Sequence, residues 1–251
     1  MEREELFRGR MKDLADAAYS RGIVTFSDFL DLYEIHMIHG MDWRGCGVTV
    51  SLSGGYAAAE RQMAAFVPDA LSYDWDYPVM CLRIAPEFPK FAEKLTHRDY
   101  LGSILGLGLE RCKIGDILVH EKEAWCFCQE KIAGFLLQSL RAVRHTSVIV
   151  SSVDNMAEQD LRPNEKEITG TVASIRLDSV ISLAFSISRS AAVPLIEGGK
   201  VFVNGRMITS NGFRLSEGDL ISVRGTGKFR YGGTLTHTRK GRELIQVFRF
   251  I

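Results

Sequence analysis

The stretch RLDSVISLAFSISRSAAVPLIEGGKVFVNG, residues 176 to 205, contains two short amphipathic patterns followed by a strand. In the first pattern, apolar residues recur at helical spacing, and Asp178 stands in the first turn, where the helix dipole favours an acid. Ser188 precedes the second pattern as a helix cap, and two glycines end it. The strand that follows reaches an Asn-Gly pair, a strong signal for a tight hairpin turn. The stretch therefore predicts two helices beside a small sheet.

The start of the second helix also has features that suit a phosphate. A serine cap leaves nearby backbone N–H groups free, and Arg189 stands beside them. Farther on, the strand end RGTGKFRYGG, residues 224 to 233, interleaves cations with Phe229 and Tyr231, a mixture suited to stacking and backbone contact with RNA. A plain helix cap and a solvated strand end are the alternative interpretations.

Taken in order, the motifs RLDSVIS, SRSAA, LIEGGKVFVNG and EGDLISVRG resemble the RNA-binding module named after ribosomal protein S4. In that family two helices lean on a small sheet and present a basic face to structured RNA. The resemblance covers about 55 residues and implies the same arrangement here. Carried across position by position, it implies an RNA-binding face made of Arg176, Ser188, Arg189, Lys200, Asn204, Arg206, Arg224, Lys228 and Arg230.

The net charge of zero hides two halves of opposite sign. Residues 166 to 251 hold 13 Lys and Arg against 6 Asp and Glu, a net charge of +7, so residues 1 to 165 carry −7. A basic C-terminal region favours nucleic acid as its partner. The acidic remainder would repel RNA, which predicts contacts with basic ribosomal proteins or a role in shielding the basic module from indiscriminate binding.

Residues 78 to 152 have a clean alternation of strand and helix patterns. The strands VMCLRIAP, IGDILV, EAWCFCQ and HTSVIVSSV are separated by the helical runs RDYLGSILGLGLE and EKIAGFLLQSL. The resulting order is βαββαβ, which is that of a ferredoxin-like split unit. Residues 1 to 75 indicate an α-rich unit, with a helix over ERQMAAFVPDAL after one strand.

We therefore predict an α+β protein of three modules. A polar, proline-containing stretch before the basic region indicates a linker or an exposed crossing strand. The predicted ranges are an α-rich domain over 1–75, a ferredoxin-like (RRM-like) domain over 76–155, a linker over 156–173, and an S4-like αα-plus-sheet domain with a C-terminal β-hairpin over 174–251.

A wider resemblance extends over nearly the whole chain. The segments GGYAAAERQMAAFVP and LTHRDYLGSILGLGLERCKIGDILV, with an S4-like module at the C-terminus, resemble the YlmH family of bacterial proteins. Members are encoded near cell-division genes. The resemblance implies binding to structured ribosomal RNA and transfer RNA on the large ribosomal subunit, in the rescue of stalled nascent chains.

Two motifs imitate catalytic sites. His97-Arg98-Asp99 is the triplet of a kinase catalytic loop, but no DFG and no glycine-rich phosphate loop accompany it. We interpret Asp99 as an acid near a helix start, and His97 and Arg98 as secondary ribosome contacts. Arg176-Leu177-Asp178 is similar to the catalytic motif of pseudouridine synthases, yet it opens the S4-like module itself, which predicts a structural aspartate.

The sequence thus predicts a non-enzymatic RNA-binding protein without a cofactor or a metal. Five cysteines with no CxxC pair argue against a disulfide framework and against zinc. A charged N-terminus and the lack of long apolar runs predict a cytoplasmic protein with no membrane contact. We expect this protein to be a monomer. Two alternatives stay open: an RNA-modifying enzyme that uses the S4-like module for targeting, and a scaffold of the division machinery.

Overall fold

A computed structural model describes residues 2–153, 165–238 and 241–250 of the chain. The chain forms two compact units, Met1–Arg162 and Pro163–Ile251. Helices and antiparallel sheets alternate within both units, which confirms the predicted α+β class. Positions 156 to 164 of the predicted linker lie outside the described residues, and residues 165 to 172 form a strand of the second unit. No single helix in the described ranges is long and apolar enough to cross a membrane.

The first unit begins with two helices on a three-stranded sheet. The helices are α1 (Glu2–Arg21) and α2 (Leu32–His39), and the strands are β1 (Thr25–Leu30), β2 (Val48–Ser53) and β3 (Gln62–Pro68). The sheet is antiparallel, with the order β1-β3-β2. On α1, Met11, Ala15 and Ala18 recur at helical spacing and share a buried core with Ala64 and Phe66 of β3.

The predicted helix over ERQMAAFVPDAL is wrong, because its residues 62 to 68 form the central strand β3. Strand β3 pairs with β1 on one side and with β2 on the other, and its residues 63 to 66 are all buried. A central strand that is covered on both faces has a continuous apolar sequence. Periodicity alone does not distinguish such a run from a buried helix.

The rest of the first unit follows the predicted βαββαβ order. Its elements are β4 (Val79–Pro86), α3 (His97–Leu105), a short 3-10 helix (Arg111–Lys113), β5 (Ile114–His120), β6 (Glu123–Gln129), α4 (Glu130–Ser139), β7 (Ala142–Val143) and β8 (Thr146–Val153). The antiparallel sheet has the order β5-β6-β4-β8-β7. Its four long strands have the arrangement of the ferredoxin-like split unit, which confirms this part of the predicted fold.

Asp28 of β1 joins the two sheets of the first unit. Its Oδ1 accepts hydrogen bonds from Lys113 Nζ at 2.6 Å and from Gln129 Nε2 at 2.7 Å. Its Oδ2 accepts from Arg10 Nη2 at 2.8 Å. Both Lys113 and Gln129 belong to the ferredoxin-like part, so one carboxylate fixes the N-terminal sheet against it.

The second unit packs two helices on a six-stranded sheet. In chain order its elements are β9 (Glu165–Val172), α5 (Leu177–Phe185), α6 (Arg189–Glu197), β10 (Val201–Val203), β11 (Arg206–Met207), β12 (Leu220–Val223), β13 (Gly227–His237) and β14 (Glu243–Phe250). The antiparallel sheet has the order β11-β10-β12-β13-β14-β9. Strand β9 precedes the helices but pairs with the last strand, so the two ends of the unit meet.

The two helices cover one face of this sheet. Their buried apolar residues form a core with alternate residues of the strands, including Val203, Ile221, Phe229 and Val247. Contact is close at Gly170 of β9, where an added Cβ would lie 2.4 Å from Leu183 of α5. Because strand side chains alternate, the intervening residues point away from the helices and form an outer sheet face.

The corner between the helices has the predicted caps. A bend of 119° separates α5 from α6, and Ser186 at the corner has a φ of 54°. The Oγ of Ser188 accepts a hydrogen bond from the Ala191 N–H at 3.1 Å, which confirms Ser188 as the N-cap of α6. Gly198 is the C-cap of helix α6, and Gly199 follows it with a φ of 66°, which suits glycine.

Candidate nucleic-acid interface

Asp178 is a buried carboxylate held by two of the arginines predicted to contact RNA. Its Oδ2 lies 2.6 Å from Arg189 Nη2, and its Oδ1 lies 3.3 Å from Arg176 Nε. Burial by itself would raise the pKa of Asp178, but the hydrogen bond and charge of Arg189, with those of Arg176, lower it overall. The aspartate is therefore ionised and structural, as the sequence predicted, and it positions both guanidinium groups at the helix corner.

Arg176 and Arg189 still have a large part of their surface in solvent. Their side chains are 45% and 54% exposed, whereas the Asp178 side chain is 4% exposed. Each guanidinium group carries five N–H donors, and the contacts with Asp178 use only part of them. The remaining donors are available to a phosphate oxygen, so this corner can bind an anion while it stays anchored to the fold.

Lys200 and Arg224 form a like-charged pair across two strands. Lys200 directly precedes Val201 and Arg224 directly follows Val223, and Val201 and Val223 are paired. The Arg224 N–H donates to the Lys200 carbonyl oxygen at 2.9 Å. Both side chains are exposed. Within the described residues neither one forms an ion pair with a carboxylate. Like charges that face each other across strands are unfavourable, and a bound anion would relieve this repulsion.

The two predicted RNA contacts at the Asn-Gly turn differ in role: Asn204 stabilises the turn, whereas Arg206 is exposed to solvent. Asn204 has a φ of 46°; its Nδ2 donates to Asp219 Oδ1 at 2.8 Å, and its Oδ1 accepts from the Leu220 N–H at 2.9 Å. Both ends of its side-chain amide therefore stabilise the turn. Arg206, on the short strand β11, is exposed on the edge of the sheet.

Lys228 and Arg230 lie on the outer face of the sheet, but the aromatic residues beside them do not. Phe229 and Tyr231 are 0% and 2% exposed and belong to the core. The predicted stacking of RNA on the aromatic residues of RGTGKFRYGG is therefore wrong for these two rings. The alternation of strand β13 places the cations outward and the rings inward.

Three other aromatic rings accompany the cations on the outer face. The Arg224 Cζ lies 4.5 Å from the centroid of the Phe202 ring. On strand β14, Phe248 lies 4.6 Å from the Arg230 Cζ, and Phe250 lies 5.9 Å from the Lys228 Nζ. The alternation in VFV and in ELIQVFRF could have predicted that these rings lie on the outer face. Their cationic partners come from other segments of the chain, so the sequence near each ring does not predict them.

The nine predicted residues of the second unit thus fall into three groups. One group is at the helix corner and contains Arg176, Ser188 and Arg189. Another is at the β10–β11–β12 end of the sheet and contains Lys200, Asn204, Arg206 and Arg224. The third is on β13 and contains Lys228 and Arg230. The secondary candidates His97 and Arg98 lie in the first unit, exposed at the start of α3.

Several titratable groups of the first unit are buried or hydrogen-bonded within the fold. Burial raises the pKa of the Cys81 and Cys128 thiols to about 12, so both stay protonated at neutral pH. Burial also raises the pKa of Asp116, whose oxygens accept from the Tyr56 hydroxyl at 2.8 Å and from the Glu60 N–H at 2.7 Å. Asp99 accepts from the Thr96 N–H at 2.8 Å, as an acid at a helix start does. Among the described side chains, no three potential metal ligands converge.

A chain that contains a helix pair with exposed cations in one unit and a ferredoxin-like domain in the other has the features of a modular RNA-binding protein. Comparison with known families agrees with this class. Residues 74–157 match the family model described as "Putative RNA-binding domain in YlmH", and residues 175–221 match the S4 domain. The chain therefore carries the RNA-binding domain found in YlmH followed by an S4 domain, the combination that the sequence motifs predicted.

Two known proteins are similar to this chain, one in sequence and one in fold. The chain is 29% identical over 209 residues to the ribosome-associated protein quality control protein P2 of Bacillus subtilis (strain 168), an alignment that covers 82% of this chain and 79% of that protein. The fold is similar to that of the cell division protein ylmH from Streptococcus pneumoniae, with a TM-score of 0.50 and 19% identity. That match covers 61% of this chain and 92% of the solved one.

Proposed function

We propose that this protein is a non-enzymatic, cytoplasmic factor that binds structured ribosomal RNA and transfer RNA on the large ribosomal subunit. The observation that carries the proposal is the exposed, like-charged pair Lys200 and Arg224, which flanks the Val201 and Val223 pair of strands β10 and β12. Arg206 is a further exposed cation on the edge strand β11. Cations that repel each other in the free protein gain most from a partner with regularly spaced phosphates.

The helix corner would supply a second set of phosphate contacts. Arg176 and Arg189 are pre-oriented by Asp178, so little side-chain entropy is lost when they bind. Contacts of this kind fix the position of a protein on RNA but do not read its sequence. The S4 domain would thus recognise the shape of a folded RNA. Proteins generally recognise double-stranded RNA by its shape and backbone and not by its base sequence.

The relative from Bacillus subtilis is named for ribosome-associated quality control. We infer the same process for this chain, with large subunits that carry a stalled nascent chain and its transfer RNA as the substrate complex. The acidic charge of the N-terminal part of the chain, −7 over residues 1 to 165, would limit binding to other RNA and favours contacts with basic ribosomal proteins.

Co-sedimentation with isolated ribosomal subunits tests the proposal. The full chain is mixed with large or small subunits at two salt concentrations, beside the variant Lys200→Glu/Arg224→Glu. A matched control, Lys12→Glu/Lys166→Glu, makes the same charge change at exposed lysines outside the predicted interface. We expect retention on the large subunit that salt weakens, that the first variant loses and that the control keeps.

Equal loss in both variants would show that only net charge matters. No binding of the wild-type chain to either subunit would reject the ribosomal proposal and bring the RNA-modifying alternative forward. Mass analysis of total RNA nucleosides from cells with and without the protein then tests that alternative. If the protein is a modifying enzyme, one nucleoside modification is missing from the cells that lack it.

A further inference from the structure

The outer face of the six-stranded sheet has two transverse rows of aligned side chains. In one row, Phe202 is opposite Ser222, and Ser222 is opposite Lys228. Phe229 pairs with Arg249, so the preceding residue Lys228 lies beside Phe250. In the neighbouring row, Leu220, Arg230 and Phe248 are aligned in the same way. We define the aromatic face by Phe202, Arg224, Lys228, Arg230, Phe248 and Phe250.

Each of the three rings on this face has a cation within 6 Å of its centroid. The distances are 4.5 Å for Arg224 on Phe202, 4.6 Å for Arg230 on Phe248 and 5.9 Å for Lys228 on Phe250. The rings are neither buried nor fully exposed, and Arg224 is exposed. A guanidinium group that is stacked on a ring has a second planar surface, which a nucleotide base can cover.

Positive and negative side chains are unevenly distributed around the aromatic face. Lys200 and Arg224 lie near Phe202 on the β10–β12 side, whereas Glu165 and Glu167 of β9 face Phe250 and Phe248 at the far edge. The Arg230 Nη2 is 2.8 Å from Glu165 Oε2, so this cation is already neutralised. Phosphates are therefore favoured at the β10–β12 side and disfavoured at β9.

From this arrangement we propose that the aromatic face binds unpaired nucleotides of RNA by base stacking, with Arg224 near their phosphates. This inference rests on the proposed function, and it adds a substrate class. The helix corner and the Lys200 and Arg224 pair suit the backbone of folded RNA, whereas the aromatic face takes bases that are splayed out of it. Strands β10 and β14 are three strand spacings apart, about 14 Å, so more than one base fits across the face.

The chemistry favours bases over an acidic peptide. A peptide carboxylate would contact the cations but leave the rings without a partner, whereas every nucleotide offers the π-face of its base as well as a phosphate. Stacking is also tolerant of sequence, which suits a protein whose other contacts are to the RNA backbone.

The test uses the full chain with two probes, a short single-stranded RNA and a blunt-ended RNA duplex of the same composition. Phe202→Leu and Phe248→Leu keep an apolar side chain but remove the π-face, and Phe248→Tyr keeps it. Affinities are measured by fluorescence anisotropy at several salt concentrations. We expect each Leu variant to bind the single strand on the order of ten-fold more weakly, with an unchanged salt slope and unchanged duplex affinity.

The Tyr variant should retain wild-type affinity for the single strand. Full affinity in both Leu variants, while Lys200→Glu/Arg224→Glu loses it, would overturn the inference and leave the proposed function intact. Equal losses for single strand and duplex would also overturn it, because that pattern indicates a structural role. If the wild-type chain bound neither probe nor ribosomal subunits, the proposed function would fail together with the inference. Melting curves of each variant identify a folding defect, and the Tyr variant then decides the outcome at Phe248.

Discussion

The Arg189 Nη2 lies 2.6 Å from Oδ2 of Asp178, which joins the start of α6 to the first turn of α5. The aspartate side chain is almost wholly buried, and the arginine is half exposed. Arg189 therefore has two roles, because it compensates a buried charge and presents its other N–H groups to solvent. A charge reversal at this position disturbs both roles at once.

Arg189→Glu should destabilise the second unit by about 2 kcal/mol, because it places a second carboxylate beside Asp178 and leaves Arg176 as its compensating arginine. Hydrogen exchange of the peptides that cover residues 177 to 197 measures this locally, without interference from the first unit. Arg206→Glu is the matched control, since Arg206 is exposed and its replacement should change stability by less than about 0.5 kcal/mol. Equal protection of the helices in both variants would show that the Asp178 contact is unimportant.

Lys200→Glu should separate stability from RNA binding. The substitution turns a like-charged cross-strand pair with Arg224 into an opposite-charged one, which should stabilise the unit by about 0.5 kcal/mol. It also removes one phosphate contact and adds a repulsive charge, so RNA affinity should fall and its dependence on salt should weaken. Urea unfolding and anisotropy at several salt concentrations measure the two quantities. Lower stability together with lower affinity would contradict the proposed role of the pair.

Much of the fold follows from periodicity and turn chemistry in the sequence. The corner before α6 is an example, since Ser188 caps the helix as its residue type predicts. The βαββαβ order was predictable for the same reason, because short strands alternate cleanly with amphipathic helices. Strand β3 was not, since its burial on both faces removes the alternation that identifies a strand.

The candidate site was predictable residue by residue but not as a surface. Arg189 and Lys228 could be selected because of their charge and their motifs, yet nothing local shows that Asp178 anchors the first or that Phe250 adjoins the second. The aromatic face depends on the register between β13 and β14, which is a long-range property. Register also explains the error at Phe229, whose direction is set by the pairing of its strand and not by its neighbours in sequence.

Asn204→Ala should destabilise the second unit by about 2 kcal/mol and leave the RNA affinity of the folded protein unchanged. Alanine is strained at a φ of 46°, and the change leaves the Leu220 N–H without its side-chain acceptor. Asn204→Gly relieves the strain but not the lost bonds, so its cost should be smaller. Urea unfolding of the wild type, Asn204→Gly and Asn204→Ala ranks their free energies of unfolding. Weaker RNA binding by the glycine variant at full folding would show instead that the Asn204 amide contacts RNA.

Asp28 should make the first unit sensitive to acid. Burial raises the pKa of this carboxyl, but hydrogen bonds from Lys113, Arg10 and Gln129 outweigh burial and lower it to about 2. The folded-state pKa is below the unfolded value of 3.8, so the stabilisation is complete above pH 4 and disappears as the pH falls towards 2. The shift corresponds to about 2 kcal/mol of the free energy of unfolding at neutral pH.

Tryptophan fluorescence during urea unfolding is a selective probe of this effect, because Trp43, Trp75 and Trp125 all belong to the first unit. Asp28→Asn should unfold at lower urea than the wild type at pH 7, and the difference between the two proteins should shrink as the pH falls to about 2. Asp42→Asn is the control, because Asp42 forms an exposed ion pair with Arg44, two residues farther along the chain, and should change stability little at any pH. A constant difference between Asp28→Asn and the wild type from pH 7 to pH 2 would show that the carboxylate charge does not join the two sheets.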